Sequence, residues 1–295
     1  REPSGADTPL TPITDPNAQG KGNALFIVDA DNGRLIWKAR MDTTLDTQSS
    51  RVTLFGATHY QFRHPRLNYP IPSDVAAVDS TGDGRTDRLY FGDIGGQIWR
   101  VDMGGYSDDR THIEDWKLSL LFNAGRNRAN DSTADRRFFH KPAVVTRLFD
   151  STGLFDGILI GSGNRANPLE DAVVNEFYLI KDRNVDTGQG APAVRYFDDI
   201  IDLTAVDNCV VAGTCTDAQN ALYANGWKLT LNQAGGCTSS TCGEKMLSSP
   251  AVFLGRIFFS TFLPGSAGGS CAPSEGTAYS YIISLNDASA IYDLD

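Results

Sequence analysis

Apolar positions along the chain come in short runs broken by Gly, Asp and Asn, and the runs pair up. Residues 24–38 read A-L-F-I-V-D-A-D-N-G-R-L-I-W-K. This predicts a strand, a tight turn with Gly33 where a positive φ is needed, and a return strand. Variants of the pattern recur. Residues 88–103 read R-L-Y-F-G-D-I-G-G-Q-I-W-R-V-D-M, again strand, Gly turn, strand. Residues 157–181 (G-I-L-I-G-S-G-N…E-F-Y-L-I-K) and 256–285 (R-I-F-F-S-T-F…A-Y-S-Y-I-I-S-L) repeat the theme with longer interruptions. Short apolar leads precede three of these units: D-V-A-A-V-D at Asp74, K-P-A-V-V-T at Lys141 and S-P-A-V-F-L at Ser249. Helical periodicity is nearly absent. The best helical stretch is short, residues 216–224 (T-D-A-Q-N-A-L-Y-A), with Thr216 placed to cap its start.

A lead strand, a Gly turn and an aromatic strand ending in Asp, repeated, is the mark of a radial β repeat. The Asp-terminated turns fall near residues 29, 102, 182 and 287, a wide and uneven step that implies long insertions. The expected fold is therefore all-β: a modified, partial β-propeller with long inserted loops, about four blades being visible. A single β-sandwich with long loops is the alternative. Residues 1–23, rich in Pro, Thr, Asp and Gly and without period, read as a flexible lead-in, which leaves 24–295 for the blades.

Composition narrows the class of partner. The chain has 295 residues, with Asp+Glu 36 against Lys+Arg 26, a formal net charge of -10. Such an acid excess leaves no basic footprint for nucleic acid. No apolar run approaches the ~20 residues of a membrane-spanning helix, so a soluble protein is expected. No charged n-region or apolar h-region opens the chain, so any secretion signal is expected to have been lost or to lie upstream. Four of the five cysteines form local pairs, Cys209 with Cys215 and Cys237 with Cys242, in Gly/Ser/Thr-rich stretches without histidine. They read as loop staples in an oxidising compartment rather than a zinc site. Cys271 is left over, pointing to a partner outside the segment.

One motif carries chemistry. Residues 79–87 read D-S-T-G-D-G-R-T-D. Asp79, Thr81, Asp83 and Asp87 present oxygens at loop positions 1, 3, 5 and 9, Arg85 offers its backbone carbonyl at position 7, and Gly84 supplies the turn at position 6. Hard divalent cations take six or more such oxygens, and carboxylates this close repel one another without a cation between them. The reading is a Ca²⁺ loop, EF-hand-like in its ligands only. Residue 90 is tyrosine, so the bidentate Glu of position 12 is missing and an affinity of micromolar to millimolar order is expected. Residues 150–156 (D-S-T-G-L-F-D) resemble a decayed copy in which Leu154 replaces the central carboxylate, and residues 29–33 read as a plain hairpin turn. No catalytic residues are expected. His59, His64, His112 and His140 show no paired spacing, and Gly161-Ser162-Gly163 is neither a nucleophile elbow nor a phosphate cradle. Trp37, Trp99, Trp116 and Trp227 sit where blade packing would put them, an aromatic sugar platform being the alternative.

Residues 77–103 (A-V-D-S-T-G-D-G-R-T-D-R-L-Y-F-G-D-I-G-G-Q-I-W-R-V-D-M) resemble the calcium-loop segment of the PilC/PilY family of type IV pilus tip-associated proteins. Residues 141–165 and the L-S-S-P-A-V-F-L…F-F-S-T-F-L-P stretch are similar to the same family, with Cys271 beyond. The resemblance implies a non-enzymatic, modified β-propeller carrying one calcium loop, in the C-terminal part of a larger exported protein. It further implies roles in pilus assembly, control of retraction, twitching motility and surface adhesion, at the cell surface, pilus tip or outer membrane. Partners would be minor pilins or the pilus tip complex, and a host or abiotic surface. Matched onto this chain, the ligands are Asp79, Thr81, Asp83, Arg85 through its carbonyl, and Asp87; Thr81 stands where many relatives carry Asn or Asp. Two other readings are a carbohydrate-binding propeller and a quinoprotein dehydrogenase fragment. The turn at residues 25–38 is similar to quinoprotein-type propeller repeats, although the chain lacks the vicinal Cys-Cys pair of those enzymes.

Overall fold

The paired apolar runs form antiparallel hairpins, and the hairpins assemble into four sheets. The computed structural model describes residues 21–54, 56–103, 112–125, 132–185, 191–205, 208–231, 243–265 and 276–291. The first sheet holds β1 (Ala24–Val28), β2 (Leu35–Met41), β3 (Ser50–Leu54) and β4 (Ala57–His64) in the order β1-β2-β4-β3, with β2 and β4 parallel. Its β1–β2 turn is the expected one, with Gly33 at φ 71°. The second sheet is an antiparallel meander of β5 (Ala76–Val78), β6 (Arg88–Gly92), β7 (Gln97–Asp102) and β8 (Lys117–Asn123). The third begins the same way with β9 (Ala143–Asp150), β10 (Gly153–Gly161) and β11 (Glu176–Asp182).

A long insertion then interrupts the third sheet. It contributes β12 (Arg195–Tyr196), which runs parallel to β8 on the edge of the second sheet, and β13 (Ile201–Asp202). Two short helices follow, α1 (Cys209–Ala212) and α2 (Asp217–Tyr223), before β14 (Gly226–Thr230) completes the third sheet with β13 on its outer edge. One insertion thus covers an edge of two neighbouring sheets. Thr216 caps α2 reciprocally: its hydroxyl accepts from the Gln219 amide, and the Gln219 side chain accepts from the Thr216 amide at 2.9 Å. Cys209 and Cys215 form the expected disulfide beside it. Cys237, Cys242 and Cys271 lie outside the described residues. The fourth sheet holds β15 (Lys245–Met246), β16 (Ala251–Phe253), β17 (Arg256–Leu263) and β18 (Thr277–Ser284), with β17 paired to all three others.

The sheets stack face to face in chain order. Trp37 and Phe62 of the first meet Phe91, Trp99 and Leu120 of the second. Tyr90, Ile98 and Phe122 of the second meet Ile158, Ile160 and Tyr178 of the third. Phe177, Leu179 and Trp227 of the third meet Ile257, Phe259 and Ile283 of the fourth, and the rings of Phe177, Phe259 and Tyr281 stack in a column. The middle sheets are therefore covered on both faces, and all seven residues of β11 are buried. Each large apolar side chain so buried contributes about 1.5–3 kcal/mol relative to exposure. Among the described residues no strand joins the first sheet to the fourth, so the stack is open.

Burial on both faces forces the polar residues of the middle strands to pair. Arg88 on β6 binds Asp156 on β10 at 2.9 Å, and Arg100 on β7 binds Asp182 on β11 at 2.8 Å. The Tyr90 hydroxyl donates to Asp182, and the Arg147 amide donates to Asp156. Arg136 holds the buried Glu176 at 3.1 Å. Asp93 opens the β6–β7 turn in complete burial. Its Oδ1 accepts from the amides of Gly95 and Gln97, and its Oδ2 from the side chains of Gln97 and Trp99. Burial pushes the Asp93 carboxyl up to about 6, outweighing these four donated bonds.

Arg88→Met should cost about 3–5 kcal/mol in urea denaturation, because Asp156 is left charged in the interior; the more exposed Arg40–Asp42 pair, treated alike, should change little. Asp93 predicts a pH effect of defined sign. Folded Asp93 takes a proton more readily than the unfolded carboxyl at 3.8, so its favourable contribution is full below that value and is lost as pH rises through about 6. Stability measured against Asp93→Asn should therefore move in the variant's favour across that window and level off above it.

Candidate functional site

The three leads recognised in the sequence become β5, β9 and β16, edge strands of the second, third and fourth sheets, and they lie side by side. Residues 76–79, 141–144, Thr146, Ser249 and Pro250 line a cleft of about 490 Å³ between them. Small residues at these positions, Ala76, Ala77, Ala143 and Pro250 among them, let the strands approach without filling the space. The acidic loop 79–87 leaves the end of β5 at the rim of this cleft and returns into β6.

Hydrogen bonds to its own carboxylates give the loop its shape. Asp79 Oδ1 accepts from the Gly82 amide at 2.6 Å and Oδ2 from the Gly84 amide at 2.7 Å. Both glycines have positive φ, 78° and 83°, as a chain curling this tightly requires. Desolvation acts to raise the Asp79 carboxyl, but the Gly84 and Gly82 amides outweigh it and hold it below the ordinary value. Asp87, 2% exposed, closes the loop from below. Its Oδ2 accepts from the Ser80 amide at 2.7 Å, the Ser80 hydroxyl at 2.9 Å and the Thr81 amide at 3.1 Å. Asp83 accepts from the Arg85 amide, and Asp79, Thr81, Asp83 and Arg85 are all exposed.

The five residues predicted as ligands thus share one loop in two layers: a buried anchor, Asp87, and a solvent-facing arc. Among the described residues, no three His, Cys, Asp or Glu side chains gather into a group that could hold a metal ion. Ser80 is the participant that sequence reasoning missed. It sits at a position that supplies no metal ligand, so its hydroxyl gave no signal until the fold turned it onto Asp87.

Residues 150–156 are built differently from the decayed loop expected. Only residues 151–152 turn, because Leu154, Phe155 and Asp156 already belong to β10. Asp150 accepts from Thr152 on one oxygen and binds Lys181 at 3.0 Å and Arg183 at 2.6 Å on the other, while Asp156 belongs to Arg88. Desolvation acts to raise Asp150, yet Arg183, Thr152 and Lys181 hold it well below the usual carboxylate range. In the 29–33 turn, Asp29 accepts from the Asp31 amide and the Asn32 side chain.

The remaining sequence candidates are structural. His64 is buried edge-on against Trp99, and burial, helped by Arg66, lowers its imidazole to about 4. Glycine stands at 161 and 163 because β15 crosses there: a Cβ at Gly161 would meet the Met246 sulfur, and one at Gly163 the Met246 carbonyl. All four tryptophans are buried, so none offers a face to a sugar. No helix among the described residues is long and apolar enough to cross a membrane.

An open stack of mainly antiparallel sheets, with an acidic turn beside the cleft between three edge strands, defines a mostly β protein with a solved structural counterpart. The crystal structure of the Pseudomonas aeruginosa PilY1 C-terminal domain superimposes with a TM-score of 0.56 at 14% identity, over 90% of this chain and 53% of that one. In sequence, the chain is 25% identical over 265 residues to the type IV pilus biogenesis factor PilY1 homolog of Xylella fastidiosa. The match takes in 88% of this chain and 16% of that protein, so the chain spans about a sixth of its curated relative. No family model matches. The chain thus resembles the PilC/PilY family in sequence and in fold, as its motifs implied.

Asp87→Ala should destabilise the chain by about 2–3 kcal/mol in a chelating buffer, since it strips a buried acceptor from Ser80 and Thr81. Asp79→Ala in the same buffer should have a smaller effect, and thermal denaturation of both variants measures the difference.

Proposed function

We propose that this chain is the calcium-binding β-propeller portion of a non-enzymatic type IV pilus tip-associated protein, exported to the cell surface. In that role it acts in pilus biogenesis, the control of retraction, twitching motility and adhesion, through minor pilins or the tip complex and an external surface. The observation that carries the reading is the sequence match to a protein named as a type IV pilus biogenesis factor across nearly the whole chain.

The propeller reading is supported by the exposed faces at the two ends of the stack. Phe26 and Val28 lie open on the first sheet, and Phe253 lies open on the fourth beside the half-buried Phe258. Middle sheets of the same design cover such faces with a neighbour. Further sheets of a longer polypeptide would continue the array on both sides, in keeping with a solved counterpart of which this chain covers 53%.

The calcium reading is supported by the donor set. Asp79, Thr81, Asp83, the Arg85 carbonyl and Asp87 are all hard oxygen ligands of the type Ca²⁺ prefers. Each carboxylate oxygen has more than one lone pair, so the bonds from Gly82 and Gly84 leave Asp79 with acceptor capacity. When bound, the ion would supply positive charge that cancels repulsion among the three carboxylates. The chain's own residues do the rest. The glycine turns hold the arc, and Asp87 ties it to the root of β6, so closing the loop stiffens the rim of the edge-strand cleft.

Calorimetric titration should show one Ca²⁺ site of micromolar to millimolar Kd. Saturation should add about 1–3 kcal/mol of stability at ten- to hundredfold excess over Kd. Asp79→Asn with Asp83→Asn should abolish both effects while the far-ultraviolet circular dichroism stays β-like. Unchanged binding in that variant would sink the assignment. For the pilus role, deletion of the encoded protein should reduce surface pili and twitching, with recovery on complementation.

A further inference from the structure

The leads β5, β9 and β16 run in one direction. Arg88, at the start of β6, reaches Asp156 near the start of β10, while a Cβ on Gly92, at the end of β6, would meet Ile160 near the end of β10. The two strands therefore run together, and so do their antiparallel partners β5 and β9. Gly161, at the end of β10, lies against Met246, which pairs with Thr261 toward the end of β17. So β10 and β17, and with them β9 and β16, also run together. The turns that follow the three leads consequently share one end of the stack, and the cleft between the leads has a start and a finish. Lys141, just before β9, stands at its start, and Asp79, just after β5, at its finish.

Among the described residues, each lead is paired with another strand on one side only. In β9 the open side can be read residue by residue. The Lys181 amide donates to the Asn225 carbonyl, so Lys181 turns its backbone groups toward β14. Alternation then turns Ile180 toward β10, and its partner Ile158 toward β11. Gly157 and Leu159 therefore face β9 and bond its Val145 and Ala143. Val144 and Thr146 are left with N–H and C=O directed away from the sheet, and both residues line the cleft. Among the described residues, no backbone group outside the ladder bonds either of them. Two features bracket this short edge. Pro142 has no N–H, and Arg147, with φ 57°, turns the chain and sends its amide to Asp156.

What fits such an edge is set by its spacing. Donor and acceptor pairs about 7 Å apart along a strand match an extended polypeptide backbone. Small residues, Ala77, Ala143 and Pro250, leave the edge within reach. No aromatic ring and no group of cations lines the cleft, so it offers no stacking face to a sugar and no cradle to a phosphate. Further sheets stacked on the first or the fourth would not cover these edges, which face across the stack rather than along it.

We propose that the free edge of β9 takes an extended polypeptide segment of a partner protein as an added antiparallel strand. Antiparallel pairing is the more stable per residue. It sets the N-terminal end of the segment at Asp79 and the C-terminal end at Lys141, both exposed. A segment basic at its first residue and acidic at its last is therefore matched at both ends. The inference rests on neither the pilus role nor the calcium reading.

The test is fluorescence anisotropy of the full chain, in a calcium chelator, with the labelled, end-blocked peptide Lys-Thr-Val-Thr-Val-Asp and its reverse, Asp-Val-Thr-Val-Thr-Lys. The first should bind saturably below millimolar concentration, and roughly fivefold tighter than the reverse. Lys141→Glu should remove that preference. Methylating the backbone nitrogens of the peptide, which deletes its donors and keeps its side chains, should abolish binding. Thr146→Pro should weaken it roughly fivefold or more, because proline deletes the outward N–H and spares the bonds to β10, whereas Thr146→Val should bind as the unaltered chain does. Should Thr146→Pro fail to fold, the methylated peptide still decides. No binding of either peptide at millimolar concentration, equal or tighter binding of the reverse, or binding that survives methylation overturns the proposal.

Discussion

Covering a sheet on both faces is the constraint from which most of this molecule follows. A sheet with one wet face can alternate polar and apolar positions; one enclosed between neighbours cannot. In β11 every residue is buried, and its run F-Y-L-I is apolar throughout, whereas β17, in an outer sheet, begins with exposed and less exposed positions in alternation. The few charges left in the enclosed strands have to be neutralised where they stand. Arg88 with Asp156 and Arg100 with Asp182 therefore bridge the second and third sheets, the Tyr90 hydroxyl completing the second pair. Such pairs add little net stability, but they make a shifted register costly, because a slip would strand a charge in the interior.

Stacking also explains the site. Once three similar units lie in register, their leads become adjacent edge strands and their first turns open at a common end. Those turns share one end of the stack and differ in chemistry. In the second sheet the turn is an acidic, glycine-rich loop whose carboxylates are held by its own amides. In the third, the Asp150 carboxylate is occupied by Lys181 and Arg183. In the fourth it is a two-residue Leu254-Gly255 tip. The turns differ in chemistry, while the scaffold that aligns them repeats.

Much of this was legible from residue order. The alternation of strand and Gly turn located β1, β2, β6, β7, β10, β11, β17 and β18, and the three P-A-V-like leads located β5, β9 and β16, because hairpins are local and their turn chemistry is written at the turn. Thr216 announced α2 for the same reason. The parallel pairing of β2 with β4 and the transfer of β12 to the edge of the second sheet had no local signal; each joins residues far apart in sequence. The seven-residue reading of 150–156 missed that Leu154 and Phe155 are strand residues, since a short acidic motif looks alike in a loop and at a hairpin tip.

Residue order by itself determined an acidic all-β chain, its hairpin units, the Cys209–Cys215 staple and the set of oxygens in residues 79–87, because each depends on spacing within a few residues. Tertiary structure alone decided which charges are buried, that Asp87 anchors the loop through Ser80 while Asp79 faces solvent, and that the edges of β5, β9 and β16 meet at one cleft. Burial and adjacency are properties of how sheets stack. Stacking is set by contacts between residues whose separation along the chain carries no trace of their nearness in space.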